Sequence, residues 1–194
     1  MSLDALMDSL PSYAKDLKLN FSSVVRQQTD LTDQQLWGTV VACAVASRNE
    51  DLTATALEEA AKYMTPQALE AAKAASAVMA MNNIFYRFTH LAANEKYATM
   101  RAGLRMNVIR THGVEQLDFE LWCIAVSAIN GYGACVDSHE RVLRDKDFGE
   151  EKIIAAVRVC FGTSCNRCGA RYRESPCATV GNPLTTNSKV DRLL

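Results

Sequence analysis

The sequence predicts an all-α fold, on three observations. Apolar residues recur at helical spacing through most of the first 160 positions, capping residues stand ahead of those runs, and no stretch shows the alternation and hairpin turns of strands. The expected architecture is a compact multi-helix domain over residues 1–160, with a helical hairpin carrying its chemistry, and a divergent, irregular tail over 161–194.

The elements follow in chain order. Pro11 suits a helix start. Thr32, with Gln35 three positions on, forms a capping box ahead of Leu36, Trp37, Val40, Val41 and Ala44, which predicts a helix over about 33–48. Asp51 can cap a helix through about Tyr63. Thr65-Pro66 opens another, in which Ala68, Ala72, Ala75 and Met79 make a narrow stripe of mostly small residues that permits close helix approach. Leu117, Leu121, Ile124 and Ala128 mark an amphipathic helix that ends at Asn130, Gly131 and Gly133. The next runs from about Tyr132 to Arg144, and a last one starts near Glu150.

After Cys160 the composition changes. Gly162, Gly169, Gly181, Pro176 and Pro183 stand among many Ser, Thr and Asn, with no helical apolar period. Five basic residues against Glu174 and Asp191 make this tail basic, although the whole chain has 21 Lys and Arg against 22 Asp and Glu. A net charge of -1 gives no electrostatic reason to bind nucleic acid or an anionic membrane. The first 19 residues interleave apolar positions with Asp4, Asp8, Lys15 and Asp16, unlike a signal peptide, and no segment reaches membrane-spanning length. The expected compartment is the reducing cytoplasm, where seven cysteines serve as thiols, metal ligands or redox groups before structural disulfides.

Cys135 and His139 are four apart, hence one helical turn from each other on one face. The break at Asn130-Gly131 puts Cys135 in the first turn of its helix, near exposed N–H groups and the positive dipole end. Both surroundings are expected to lower a thiol pKa. Glu120 lies on the preceding helix along a largely apolar stripe with Leu117, Ile124 and Ser127, where a carboxylate needs a partner. In a helical hairpin it approaches His139 directly or through one water, giving a nucleophile, a base and an orienting group. Taken singly these signals have plainer readings: Cys135 as core filler, and Glu120 paired with an arginine such as Arg105.

The segment Phe119-Glu-Leu-Trp-Cys-Ile-Ala-Val-Ser-Ala-Ile-Asn130-Gly, followed by Cys135 and His139-Glu140, resembles the alkyl hydroperoxidase D family of the carboxymuconolactone decarboxylase superfamily. Met81-Asn82-Asn83-Ile-Phe-Tyr86-Arg87, Leu104-Arg-Met-Asn-Val-Ile109, Gln35-Leu-Trp-Gly38 and Tyr13-Ala-Lys-Asp16 fit the same family, over about residues 1–160. The resemblance implies an antioxidant thiol peroxidase acting on organic hydroperoxides, with no bound cofactor or metal. Dihydrolipoamide on a dehydrogenase-complex component would be its external reductant, a peroxiredoxin an electron acceptor, and a homotrimer its assembly. It assigns Cys135 as the peroxide-attacking thiol and His139 with Glu120 as its relay.

Two departures stand against the family pattern of Glu, then Cys-x-x-Cys, then His. Tyr132 occupies the position of the first, resolving cysteine and Ala134 that of an intervening His, so the family's disulfide step cannot proceed here. The other departure is the tail, whose Cys160, Cys165, Cys168 and Cys177 hold one Cys-x-x-Cys, half of a four-thiolate zinc signature, against the reading of incidental cysteines. A resolving thiol would then be Cys123 on the preceding helix or an external thiol. The competing functions are decarboxylase-like proton transfer by Glu120 and His139, and a helical oligomer that has lost turnover.

Overall fold

The computed structural model describes residues 2–171, with side chains described through Cys160, and the described residues contain helices and no strand. In order these are α1 (Leu3–Asp8), a 3-10 turn (Ser12–Ala14), α2 (Lys15–Arg26), α3 (Asp33–Ser47), α4 (Glu50–Ala60), α5 (Pro66–Leu91), α6 (Lys96–Thr99), α7 (Val108–Thr111), α8 (Gln116–Asn130), α9 (Gly133–Arg144) and α10 (Glu150–Arg171).

Local chemistry sets most of the starts. The Thr32–Gln35 box is reciprocal: the Gln35 N–H donates to Thr32 Oγ1, and the Thr32 N–H donates to Gln35 Oε1. Thr65 caps α5 by accepting the Ala68 N–H, with Pro66 at the first helical position, where its missing N–H costs nothing. One cap differs from expectation. Asn49, not Asp51, opens α4 by accepting the Leu52 N–H, because its side chain lies just outside the helix while Asp51 sits within the first turn.

α3 is apolar nearly all round: Leu36, Trp37 and Val40 through Ala44 are all buried, as expected of a helix surrounded by others. It packs against α5, α8 and α10, and α8 in turn packs against α5, α9 and α10. The small stripe Ala68, Ala72, Ala75 and Met79 is buried as predicted. Three hydrogen bonds fix α3 against α8. Gln34 and Gln35 donate to the two oxygens of the buried Asp118 at 2.7 and 2.8 Å, and the Trp122 indole donates to the Gln35 carbonyl at 3.3 Å.

Gly38 is what lets that indole lie on the α3 backbone. A Cβ there would stand 2.2 Å from Trp122 Cε2, and the indole is fully buried with no room to retreat. Gly38→Ala should therefore destabilise the fold by about 1–3 kcal/mol by overpacking, despite alanine's better helix propensity. Thermal denaturation of the variant checks this; a raised melting temperature would show that Trp122 repacks freely.

The last helix crosses the position where the composition changes. α10 continues through Arg171, so the start of the tail, expected to be irregular from 161, is helical for its first 11 residues. Glycine at 162 and 169 weakens helix propensity but does not stop a helix already anchored by Ile153, Ala156 and Val159 in the core. Residues 172–194, including Cys177, and the side chains of Cys165 and Cys168 lie outside the described residues. No described helix is long and apolar enough to cross a membrane.

Candidate active site

The site is built at the α8–α9 turn. Gly131 takes a left-handed conformation with φ 66°, which ends α8 and reverses the chain. The N–H groups of Gly131 and Tyr132 donate back to Ala128 and Ser127 carbonyls, and α9 begins at Gly133. Cys135 is the third residue of α9 and half-buried, which is the first-turn placement the sequence predicts.

α5 docks against this turn. Tyr132 is buried and donates its hydroxyl to the Tyr86 carbonyl at 2.8 Å, with His90 edge-on to its ring. Arg87 Nη1 donates to the Asn130 carbonyl at 2.9 Å, and Asn130 Nδ2 donates to Asn83 Oδ1 at 2.8 Å. Tyr132 is thus a strut between helices.

Glu120 and His139 meet directly, with Glu120 Oε2 2.5 Å from His139 Nδ1. Arg105 is not Glu120's partner; Gln116 holds the other oxygen, donating from Nε2 to Oε1 at 2.6 Å. Hydrogen-bond polarity runs consistently along this side. The Val114 N–H donates to His112 Nδ1, which leaves His112 Nε2 to donate to Gln116 Oε1 at 3.0 Å, and that turns the Gln116 amide N–H toward Glu120. His112 is further held flat against Phe119, with ring centroids 4.2 Å apart.

With Nδ1 given to Glu120, the second ring nitrogen of His139 is Nε2. It faces Met79 Sδ at 3.1 Å, and the same sulfur accepts the Ser127 hydroxyl at 3.4 Å. The structure therefore brings Glu120 and His139 into contact, and sets Cys135 one turn away beside Asn83. The thiol's surroundings also differ from the predicted activation. Burial pushes the Cys135 thiol up, and the Asn83 side chain, hydrogen-bonding to it, pulls it partly back. Burial pushes Cys123 well above the ordinary thiol range, with the charges of Glu120 and Cys135 adding to this.

Several groups here carry no distinct signal in the sequence. Met79 reads there only as part of the small stripe, and Asn83 only as part of a recognisable segment, because a helical period does not reveal which polar residue on a buried face meets a turn 47 positions away. Cys43 is equally unmarked. Its Sγ lies 3.6 Å from that of Cys160, which donates to the Ala125 carbonyl and so belongs to the α3–α8–α10 seam rather than to a tail cysteine cluster. A cavity of about 710 Å³ opens elsewhere, among α1 to α4, beside Met7, Phe21, Trp37 and Tyr63; none of Glu120, Cys135 or His139 lines it. Its place carries no chemistry comparable to the Glu120–His139 pair.

Comparison with known proteins locates the same region. The model of the carboxymuconolactone decarboxylase family matches residues 95–165, a span that contains Glu120, Cys135 and His139. Curated relatives extend the likeness over most of the chain. The alkyl hydroperoxide reductase AhpD of Koribacter versatilis is 67% identical over 159 residues, covering 82% of this chain and 82% of its own. Those of Acidobacterium capsulatum and Solibacter usitatus are 67% and 61% identical, again over 82% of this chain and over 87% and 89% of theirs. At such identity over this coverage, the chain belongs to the alkyl hydroperoxide reductase AhpD family.

Proposed function

We propose that the chain is an antioxidant alkyl hydroperoxide reductase in which Cys135 is the peroxide-attacking thiol, His139 its base and Glu120 the carboxylate that orients the base. The observation that carries this reading is the direct Glu120–His139 contact at 2.5 Å, one helical turn from a half-buried cysteine in a chain whose relatives bear that name. The Cys135 proton passes to His139 Nε2, directly or through one water, once Met79 yields the space beside it. The thiolate then attacks the peroxide: an S–O bond forms, the O–O bond breaks, and the leaving alkoxide takes a proton from the imidazolium. The products are an alcohol and a sulfenic acid on Cys135.

Tyr132 cannot capture that sulfenic acid, because a phenol forms no disulfide. Cys123 is a poor substitute: it is fully buried, and burial suppresses its thiolate. The resolving thiol is therefore external. Dihydrolipoamide carried by a dehydrogenase-complex component is the reductant this reading names, with a peroxiredoxin as electron acceptor, a homotrimer as the assembly and the cytoplasm as the compartment. One equivalent of an organic hydroperoxide, followed by mass spectrometry, tests the chemistry: Cys135 should carry a trappable sulfenic acid. A ready Cys123–Cys135 disulfide would replace the single-cysteine reading with an internal one.

Restoring the missing thiol has a structural consequence. Tyr132→Cys should speed dihydrolipoamide-linked turnover beyond that of the parent, since both sulfurs again stand at one helix start, yet lose about 2–4 kcal/mol of stability, because a buried ring and its hydroxyl bond to Tyr86 disappear. Parallel activity and thermal-melt measurements on the variant separate the two effects.

A further inference from the structure

We propose that Gln116 is a positioning residue of the peroxide reaction, itself aimed by His112: its amide N–H holds one oxygen of Glu120 so that the other stays on His139. The inference rests on the reading of Glu120 and His139 as the pair that takes up the Cys135 proton.

Glu120 is 5% exposed, and a buried carboxylate needs a donor on each oxygen. Oε2 meets His139 Nδ1 at 2.5 Å, and Oε1 meets Gln116 Nε2 at 2.6 Å. Two such grips fix the plane of the carboxylate, whereas one alone leaves it able to swing about that contact. A glutamine amide, however, fits either way round, and with its oxygen inward it would oppose Glu120 instead of holding it.

His112 decides between the two orientations. The Val114 N–H can only donate, so His112 Nδ1 accepts it at 3.3 Å. Nε2 is then left with the ring proton, which Gln116 Oε1 receives at 3.0 Å, and the Gln116 NH₂ must point the other way, at Glu120. Phe119 keeps the imidazole in its plane, with ring centroids 4.2 Å apart and planes 7° apart. From the Val114 peptide to His139 every bond therefore has one consistent direction, set by a backbone group that cannot reverse.

This outer chain bears on the reaction more than on the fold. Gln116 is exposed in the first turn of α8 and His112 is only partly buried, so neither fills the core. Their effect falls on the direction of a buried charge, where a small rotation weakens the hold on the imidazolium that forms as Cys135 gives up its proton. The titratable groups that meet Glu120 are His139 on α9 and Cys123 on its own helix. Among the described residues no Lys or Arg pairs with it, so a neutral amide is what directs it.

Two measurements on the full chain separate positioning from architecture. The first requires no turnover. With histidine nitrogens labelled with 15N, the proton in the 2.5 Å Glu120–His139 bond should resonate far downfield, and its loss in His139→Gln identifies it among the three histidines. Gln116→Met keeps the length of the side chain but donates nothing, and should move that proton upfield. The second measurement is single-turnover oxidation of Cys135 by an organic hydroperoxide, which Gln116→Met should slow about tenfold, as for loss of one hydrogen bond to a charged group. Gln116→Lys keeps a donor within reach of Oε1 and should restore both signal and rate. His112→Phe should act in the same direction as Gln116→Met yet add nothing to it, because it acts through the amide. An unmoved proton and rate in Gln116→Met, no recovery in Gln116→Lys, or additive losses in the double variant overturns the assignment. Both positions lie outside the core, so the variants should melt with the parent, and His112→Phe keeps the test open if Gln116→Met fails to fold. A lack of peroxide turnover in the parent chain would remove the reading beneath this inference while leaving the resonance result standing on its own.

Discussion

Cys135→Ser is expected to reduce hydroperoxide consumption to the uncatalysed background. The loss is one of chemistry rather than of fold. Serine occupies nearly the same volume at a half-buried position in the first turn of α9, where it is also a good helix-start residue, so stability should change by no more than about 1 kcal/mol. An alcohol is scarcely ionised at neutral pH and is a weak nucleophile toward the O–O bond, whereas a thiolate is a strong one. The same contrast fixes the pH dependence. Burial raises the Cys135 pKa, so the thiolate is the minority form at neutral pH, and turnover of the parent chain should climb as pH rises toward that raised value. Following organic hydroperoxide loss with dihydrolipoamide, across pH, checks both statements. Turnover that survives in the serine variant would take Cys135 out of the mechanism and leave proton transfer by Glu120 and His139 as the chemistry to pursue.

The helices are legible where a local rule sets them. Thr32 with Gln35, Thr65 with Pro66, and Asn130 with Gly131 each announce an end through chemistry within four residues, and all three fall where expected. What sequence order hides is which distant side chain completes a polar site. The periodicity of α8 places Glu120 on a buried face and the hairpin brings it to His139, yet nothing in the spacing marks Gln116, Met79 or Asn83 as the neighbours that fix direction in the site. Thiol activation is misjudged from spacing for the same reason. A Cys-x-x-x-His spacing puts two residues on one helical face, but His139 Nε2 turns to Met79 on α5, and desolvation then dominates the environment of Cys135. The extent of α10 depends on anchoring by the core, which carries a helix past glycines that composition reads as breakers.

Glu120→Gln should slow peroxide turnover by about 10²-fold to 10⁴-fold, the range for lost general acid–base assistance. The substitution keeps shape and burial but removes the charge that faces His139. A carboxylate can only accept, so it holds the imidazole with its proton on Nδ1 and leaves Nε2 as the basic nitrogen. A glutamine amide in the same place can turn its NH₂ toward Nδ1, which moves the ring proton to Nε2 and blocks the base. It also offers no charge to stabilise the imidazolium formed when the Cys135 proton arrives. His139→Gln should fall in the same range, and the double variant should be hardly slower than either single one, because the two act as a unit. Single-turnover rates with excess hydroperoxide measure this step apart from reduction of the sulfenic acid. Raising the pH separates assistance from architecture: once Cys135 ionises without a base, the variants should recover toward the parent rate, as a disrupted fold would not. A loss of less than about threefold in both variants would reduce Glu120 and His139 to a structural pair.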